Sequence, residues 1–194
     1  MEIQSPKTKL IVISGPSGVG KNTIIDELLK QIPELNLGQS LTTRLPRLND
    51  VPGRYQYVSR KEFIKHIEQK SLLEWTEEYN NTLYGTLKPH TATNVLLEIE
   101  VKGASKIKKS FPKAHLIFLV PPGATLKEQL AVLRQRLQKR STDTAEIIEK
   151  RLIQDKRELE QGPKQSEKVI VNDDLAQATT ETINYVKKIL LINN

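Results

Sequence analysis

Residues 15 to 23 read Gly15-Pro16-Ser17-Gly18-Val19-Gly20-Lys21-Asn22-Thr23, and the spacing Gly15-x4-Gly20-Lys21 is that of a phosphate-binding loop. Glycines at 15, 18 and 20 permit backbone angles closed to other residues, so that successive N–H groups turn inward on phosphate oxygens. Lys21 adds a point charge for the outer phosphates of a triphosphate nucleotide. Position 22 is Asn, where Ser or Thr would place a hydroxyl on Mg2+. Thr23 follows, able to cap a helix or reach the metal shell through water. The metal is therefore expected on the substrate phosphates and on water, with no protein ligand assigned.

A second group of chemical interest is Ser40-Leu41-Thr42-Thr43-Arg44-Leu45-Pro46-Arg47. Two guanidinium forks in a segment stiffened by proline can grip one phosphate bidentately, which suits an acceptor that is already phosphorylated. Taken alone, two arginines in a loop are more often solvated surface, and both readings stand at this point. His66, His90 and His115 lack metal-ligand spacing and read as structural or surface residues.

The elements that must hold these groups follow from periodicity. Leu10 to Ser14 predicts a buried strand ahead of the loop, and Ile24, Ile25, Leu28, Leu29 and Ile32 predict a helix from 21 to about 31. Val95–Val101, His115–Val120 and Lys168–Val171 are the other expected core strands. Ser59 with Glu62, Thr125 with Glu128 and Asp143 with Glu146 are capping-box openings, and Gly162-Pro163 is expected to close the last of these helices. Asp173 or Asp174 should cap a final helix through Ile183, Val186 and Leu190. Short apolar runs alternating with helical segments predict an α/β fold with a parallel sheet flanked by helices. Residues 35 to 90 break that rhythm, with strand-like pieces at Tyr55–Val58 and Leu72–Trp75, and read as an inserted lobe for a second ligand.

The chain has 194 residues, a formal net charge of +7 and no cysteine, which excludes disulfides and thiolate metal sites. Its longest apolar runs are too short to span a bilayer, and the N-terminal segment shows no export signal, so a cytoplasmic location is expected. The basic balance suits anionic ligands. The Arg134–Arg140 run carries cations but no interleaved aromatics of the kind that stack on single strands, so neither nucleic acid nor membrane is expected as a partner. The sequence makes no statement on oligomeric state.

The phosphate loop followed by S-x-T-T-R-x-P-R resembles the guanylate kinase family of nucleoside monophosphate kinases. Leu73-Glu74-Trp75, Tyr84-Gly85-Thr86, Glu98-Ile99-Glu100-Val101-Lys102-Gly103, Arg136-Leu137-x-x-Arg140, Lys150-Arg151-Leu152 and Val171-Asn172-Asp173-Asp174-Leu175 continue the likeness in unbroken order. The resemblance implies a P-loop core (1–36 and 94–194), an acceptor-binding lobe (about 37–93) and a lid (about 134–146). It also implies transfer of the γ-phosphoryl group of ATP to GMP, with Mg2+. On that likeness Ser40, Arg44, Arg47 and Tyr55 would hold the acceptor phosphate with Tyr84 beside them. Glu74 and Thr86 would read the base, and Glu100 would lie on the acceptor side. Arg136, Arg140 and Arg151 would close over the phosphates, and Asn172 would lie near the ATP base. Differences from the family pattern fall at Asn22, Glu100, Lys102 and Ser141, in the shorter Gly53-Arg54-Tyr55 stretch, and after Thr86, where Leu87 to Asn94 leave no room for a helix. A kinase of another phosphorylated acceptor and a non-catalytic guanylate-kinase-like binding module are the competing readings.

Overall fold

The computed structural model describes residues 9–46, 50, 52–77, 81–89, 93–139 and 144–192. The chain runs β1 (Leu10–Ser14), α1 (Lys21–Gln31), β2 (Leu35–Leu37), β3 (Ser40–Thr42) and β4 (Tyr55–Tyr57), then α2 (Arg60–Glu68), β5 (Leu72–Glu77) and β6 (Leu83–Leu87). It continues with β7 (Asn94–Glu98), α3 (Val101–Ser110), β8 (His115–Val120), α4 (Leu126–Lys139), α5 (Ala145–Gln165), β9 (Lys168–Val171) and α6 (Leu175–Leu190).

The strands form two sheets. One is parallel, in the order β2-β7-β1-β8-β9, and the other is mixed, in the order β4-β3-β6-β5. The unbroken apolar run of β1 has the physical reason expected of a parallel strand, since helices cover both faces of its sheet. Ile11 and Ile13 pack with Ile24, Ile25 and Leu28 of α1, and with Ile148 and Leu152 of α5. Leu10 and Val12 point the other way, onto Ala104 and Ile107 of α3. Beneath α2, Leu41, Phe63, Leu72 and Leu83 give the second sheet its own apolar cluster. Each such fully buried side chain contributes about 1.5–3 kcal/mol.

The Ser59/Glu62 capping box is present in full, and Thr125 and Glu128 exchange the same reciprocal bonds. Asp174 caps α6 through Gln177 N. Three expectations change. The β7 strand stops at Glu98, and Val101 opens α3 instead of ending a strand, because Glu100 takes the N-cap position. Glu98 and Glu100 therefore do not share a strand face. Leu35–Leu37, inside the stretch expected to form the inserted lobe, is an edge strand of the parallel sheet.

The third change concerns α5. Thr144 caps it by accepting from Ile147 N, whereas Asp143 lies outside the described residues. The helix then passes through Gly162-Pro163 to Gln165. Local propensity argues for a stop there, but packing decides otherwise. Gly162 packs against the edge of the Phe118 ring of β8, and a Cβ would come within 2.2–2.6 Å of three ring carbons. We expect Gly162→Ala to lower stability by about 2 kcal/mol in urea unfolding, although Gly→Ala inside an open helix stabilises. A stability gain would show that α5 can lift off β8 at no cost.

Candidate functional site

The phosphate loop leaves the C-terminal end of β1, the central strand, where open parallel sheets present ligand crevices. Gly20 has φ 102° and precedes the first turn of α1. A side chain there would also strike the amide of Asn172, so the position demands glycine twice over. Lys21 Nζ donates to the carbonyls of Gly15 at 2.5 Å and Pro16 at 3.1 Å, which folds the ammonium back over the loop mouth. Asn172 supports the loop from beneath. Its Nδ2 donates to Val19 O at 2.6 Å, its backbone N–H donates to Val120 O, and only 3% of the residue is exposed. Arg136 donates to the Asn172 carbonyl at 2.8 Å.

A cleft of about 600 Å³ joins Gly15, Ser17 and Lys21 of this loop to Ser40, Tyr55, Glu74, Tyr84 and Thr86 of the second sheet and to Arg44 just beyond β3. Glu100 and Arg151 stand on the same lining. Arg136 and Asn172 are not part of it, while Arg47 and Arg140 lie outside the described residues. The structure thus brings the loop lysine and most of the expected acceptor-side residues into one cavity, and places Arg136 and Asn172 behind the loop.

At the far end, Glu74 on β5 and Thr86 on β6 are cross-strand partners in the antiparallel register. Thr86 Oγ1 donates to Glu74 Oε1 at 2.9 Å, and Glu74 is 7% exposed. Burial pushes the Glu74 pKa up, against the pull of the Thr86 hydroxyl and the Lys106 ammonium. Burial also raises the Tyr55 phenol, which stays a neutral donor at any ordinary pH. Arg44 forms a bidentate pair with Asp50, both bonds 2.9 Å, and lies over the Tyr55 ring at 5.4 Å. One face of that guanidinium is thus already committed to a carboxylate.

Sequence reasoning missed two groups. Arg54, 6% exposed, donates to Asp26 at 2.6 Å, to Glu98 at 2.7 Å and to the Asn22 carbonyl at 3.1 Å. It thereby ties the segment before Tyr55 to the first turns of α1 and to the end of β7. Asp155 on α5 is 2% exposed and accepts from Ser17 N at 2.8 Å. The partners of Arg54 lie 28 and 44 positions away and that of Asp155 138 positions away, so no local pattern signalled either group.

Among the described residues no three His, Cys, Asp or Glu side chains converge as a metal site, Asn22 has no hydroxyl, and Glu98 is paired to Arg54. Among the described residues, no helix is long and apolar enough to cross a membrane.

A family model described as guanylate kinase matches residues 7–189. A guanylate kinase of Desulfitobacterium hafniense is 42% identical over 189 residues, covering 94% of this chain and 88% of that protein. One of Synechocystis is 41% identical, covering 94% and 95% respectively. The crystal structure of guanylate kinase from Anaplasma phagocytophilum superposes with a TM-score of 0.75 at 23% identity, over 95% of this chain and 87% of that one, a likeness of fold.

Proposed function

The chain belongs to the guanylate kinase family, and from that premise we propose that it is a phosphotransferase moving the γ-phosphoryl group of ATP to GMP, giving ADP and GDP. The observation that carries the acceptor's identity is the buried Glu74–Thr86 pair facing the phosphate loop across one cleft. An ionised carboxylate only accepts hydrogen bonds, and guanine presents N1–H and N2–H2 along one edge. Adenine offers no such donor pair, so a site built for those bonds rejects it strongly.

The remaining roles are those that membership of the family implies for these residues. Loop N–H groups and the α1 N-terminus receive the ATP phosphates, and Lys21 leaves the Gly15 and Pro16 carbonyls for the outer phosphates. Ser40, Tyr55, Tyr84 and Arg44 receive the GMP phosphate, Arg47 is assigned to the same task by the family likeness, and Glu100 stands at the rim. Arg151, joined by Arg136 and Arg140, shields the charge that spreads during an in-line transfer. Asn172 acts on the ATP side by fixing the loop that holds the phosphates. Mg2+ would neutralise phosphate charge while held by the phosphates and water, since Asn22 supplies no hydroxyl. The stretch of about 37–93 serves as acceptor lobe and that of about 134–146 as lid to a core that works on the cytoplasmic nucleotide pool.

ADP release measured with GMP, dGMP, AMP, CMP and UMP tests the assignment. GMP should be the best acceptor, and no GMP-stimulated turnover would overturn the proposal. In the same assay Glu74→Gln should lower kcat/KM for GMP by roughly 100-fold or more, because the amide turns a donor toward guanine donors. A wild-type value would remove Glu74 from base reading.

A further inference from the structure

Asp155 is a buried acid to which the transfer chemistry gives no task. It projects from α5 into the donor end of the cleft, on the same lining as Gly15 and Lys21. Its Oδ1 accepts from the Ser17 N–H at 2.8 Å, and its Oδ2 is buried without a hydrogen-bond partner. A carboxylate kept only for architecture ordinarily has both oxygens satisfied, because an orphaned buried acceptor costs free energy. Here half of the group is left unsatisfied beside a loop whose backbone donors are shaped for phosphate.

A carboxylate on such a donor is a small phosphate mimic. Burial raises its pKa to about 6, against the pull of Ser17, Lys21 and Arg151, so the anion sits there under strain of its own solvation. The helix that carries it also touches the acceptor rim, where Gln154 donates to Glu100 at 2.9 Å. Neighbouring residues of α5 thus bridge both halves of the cleft, and Arg151 lies one turn before Asp155 on the same helix.

We propose that Asp155 is an internal counter-anion of the phosphate loop: its carboxylate holds the Ser17 N–H in the free protein and competes with the donor nucleotide's phosphates for that end of the loop. Phosphate arrival displaces the carboxylate, and the turn that gives way is the one that carries Arg151. Donor binding and the placing of that arginine are then one movement. Asp155 is a positioning residue that weakens donor affinity in return for coupling, and this rests on the ATP-donor reading above.

Titration calorimetry with ADP and with a non-hydrolysable ATP analogue tests it. Asp155→Asn keeps an oxygen for Ser17 and removes the charge, whereas Asp155→Ala removes both. Both variants should bind nucleotide more tightly, Asp155→Ala by about tenfold, and KM for ATP should fall while kcat does not rise. A merely structural acid would give the opposite sign, since losing it would slacken the loop and weaken binding. Unchanged or weaker affinity in Asp155→Asn, which is isosteric and decides the matter even if Asp155→Ala fails to fold, overturns the inference. Absence of nucleotide binding by the unaltered protein would instead overturn the donor reading itself.

Discussion

Replacing Lys21 with alanine is expected to reduce ATP-dependent phosphorylation of GMP by about a thousand-fold while leaving the protein folded. The magnitude is that of removing a fixed positive charge from phosphates on which negative charge is being redistributed. The geometry explains why the loss should be clean. Lys21 is the first residue of α1, and its ammonium rests on the carbonyls of Gly15 and Pro16. Among the described residues no carboxylate hydrogen-bonds to it, and its pull on Asp155 is shared with the Ser17 N–H and Arg151. Truncation therefore leaves α1 and its apolar stripe of Ile24, Ile25 and Leu28 in place. The thermal midpoint should move by no more than a few degrees. Lys21→Arg should fail to rescue, because a planar fork cannot take the position of a compact point charge over the loop mouth. A variant with wild-type turnover would remove the lysine from the mechanism.

Arg54→Ala is the converse case, with stability the first casualty. The guanidinium joins a side chain of α1, a carbonyl of α1 and the last residue of β7 from the segment entering β4. Removing one partner of a buried ionic cluster leaves the others uncompensated. Glu98 is largely shielded, whereas Asp26 is nearly half exposed and can recover water, so the expected loss is about 3 kcal/mol. For a chain of this size that corresponds to a fall of roughly 10 °C in the thermal midpoint. Arg54→Lys should recover only part of it, because an ammonium's three donors radiate from one nitrogen and cannot span acceptors that the guanidinium reaches from two. A midpoint shift under about 2 °C would show that the cluster contributes nothing net.

Both predictions draw on residues that differ in how plainly the sequence announced them. Lys21 was legible because every requirement of the motif is local: a strand before, a helix after, and glycines at fixed offsets. The same holds for the Ser59, Thr125 and Asp174 caps, whose partners stand three residues away. Arg54 was not legible, since its acid partners lie 28 and 44 positions distant, and neither distance leaves a periodic trace. Asp155 is further removed still, 138 positions from the N–H it holds. On a helix face of alternating charge it looks like any solvated acid. The passage of α5 through Gly162-Pro163 escaped for a related reason, because the ring that makes glycine necessary belongs to β8. In the second sheet, the strand pieces at 55 and 72 were readable, but the β5–β6 register that places Thr86 opposite Glu74 was not.

The Asn172 tether bears on how the protein is made. Residues 15 to 23 leave the ribosome well before their support does, since the amide that braces Val19 lies 153 positions later in the chain. At about 5–20 residues per second, the loop waits on the order of ten to thirty seconds for its brace. During that interval α5 and β9 are also missing, so the nascent chain carries the phosphate-binding signature without its support. Nucleotide can therefore meet the braced loop only on chains that have been made past residue 172.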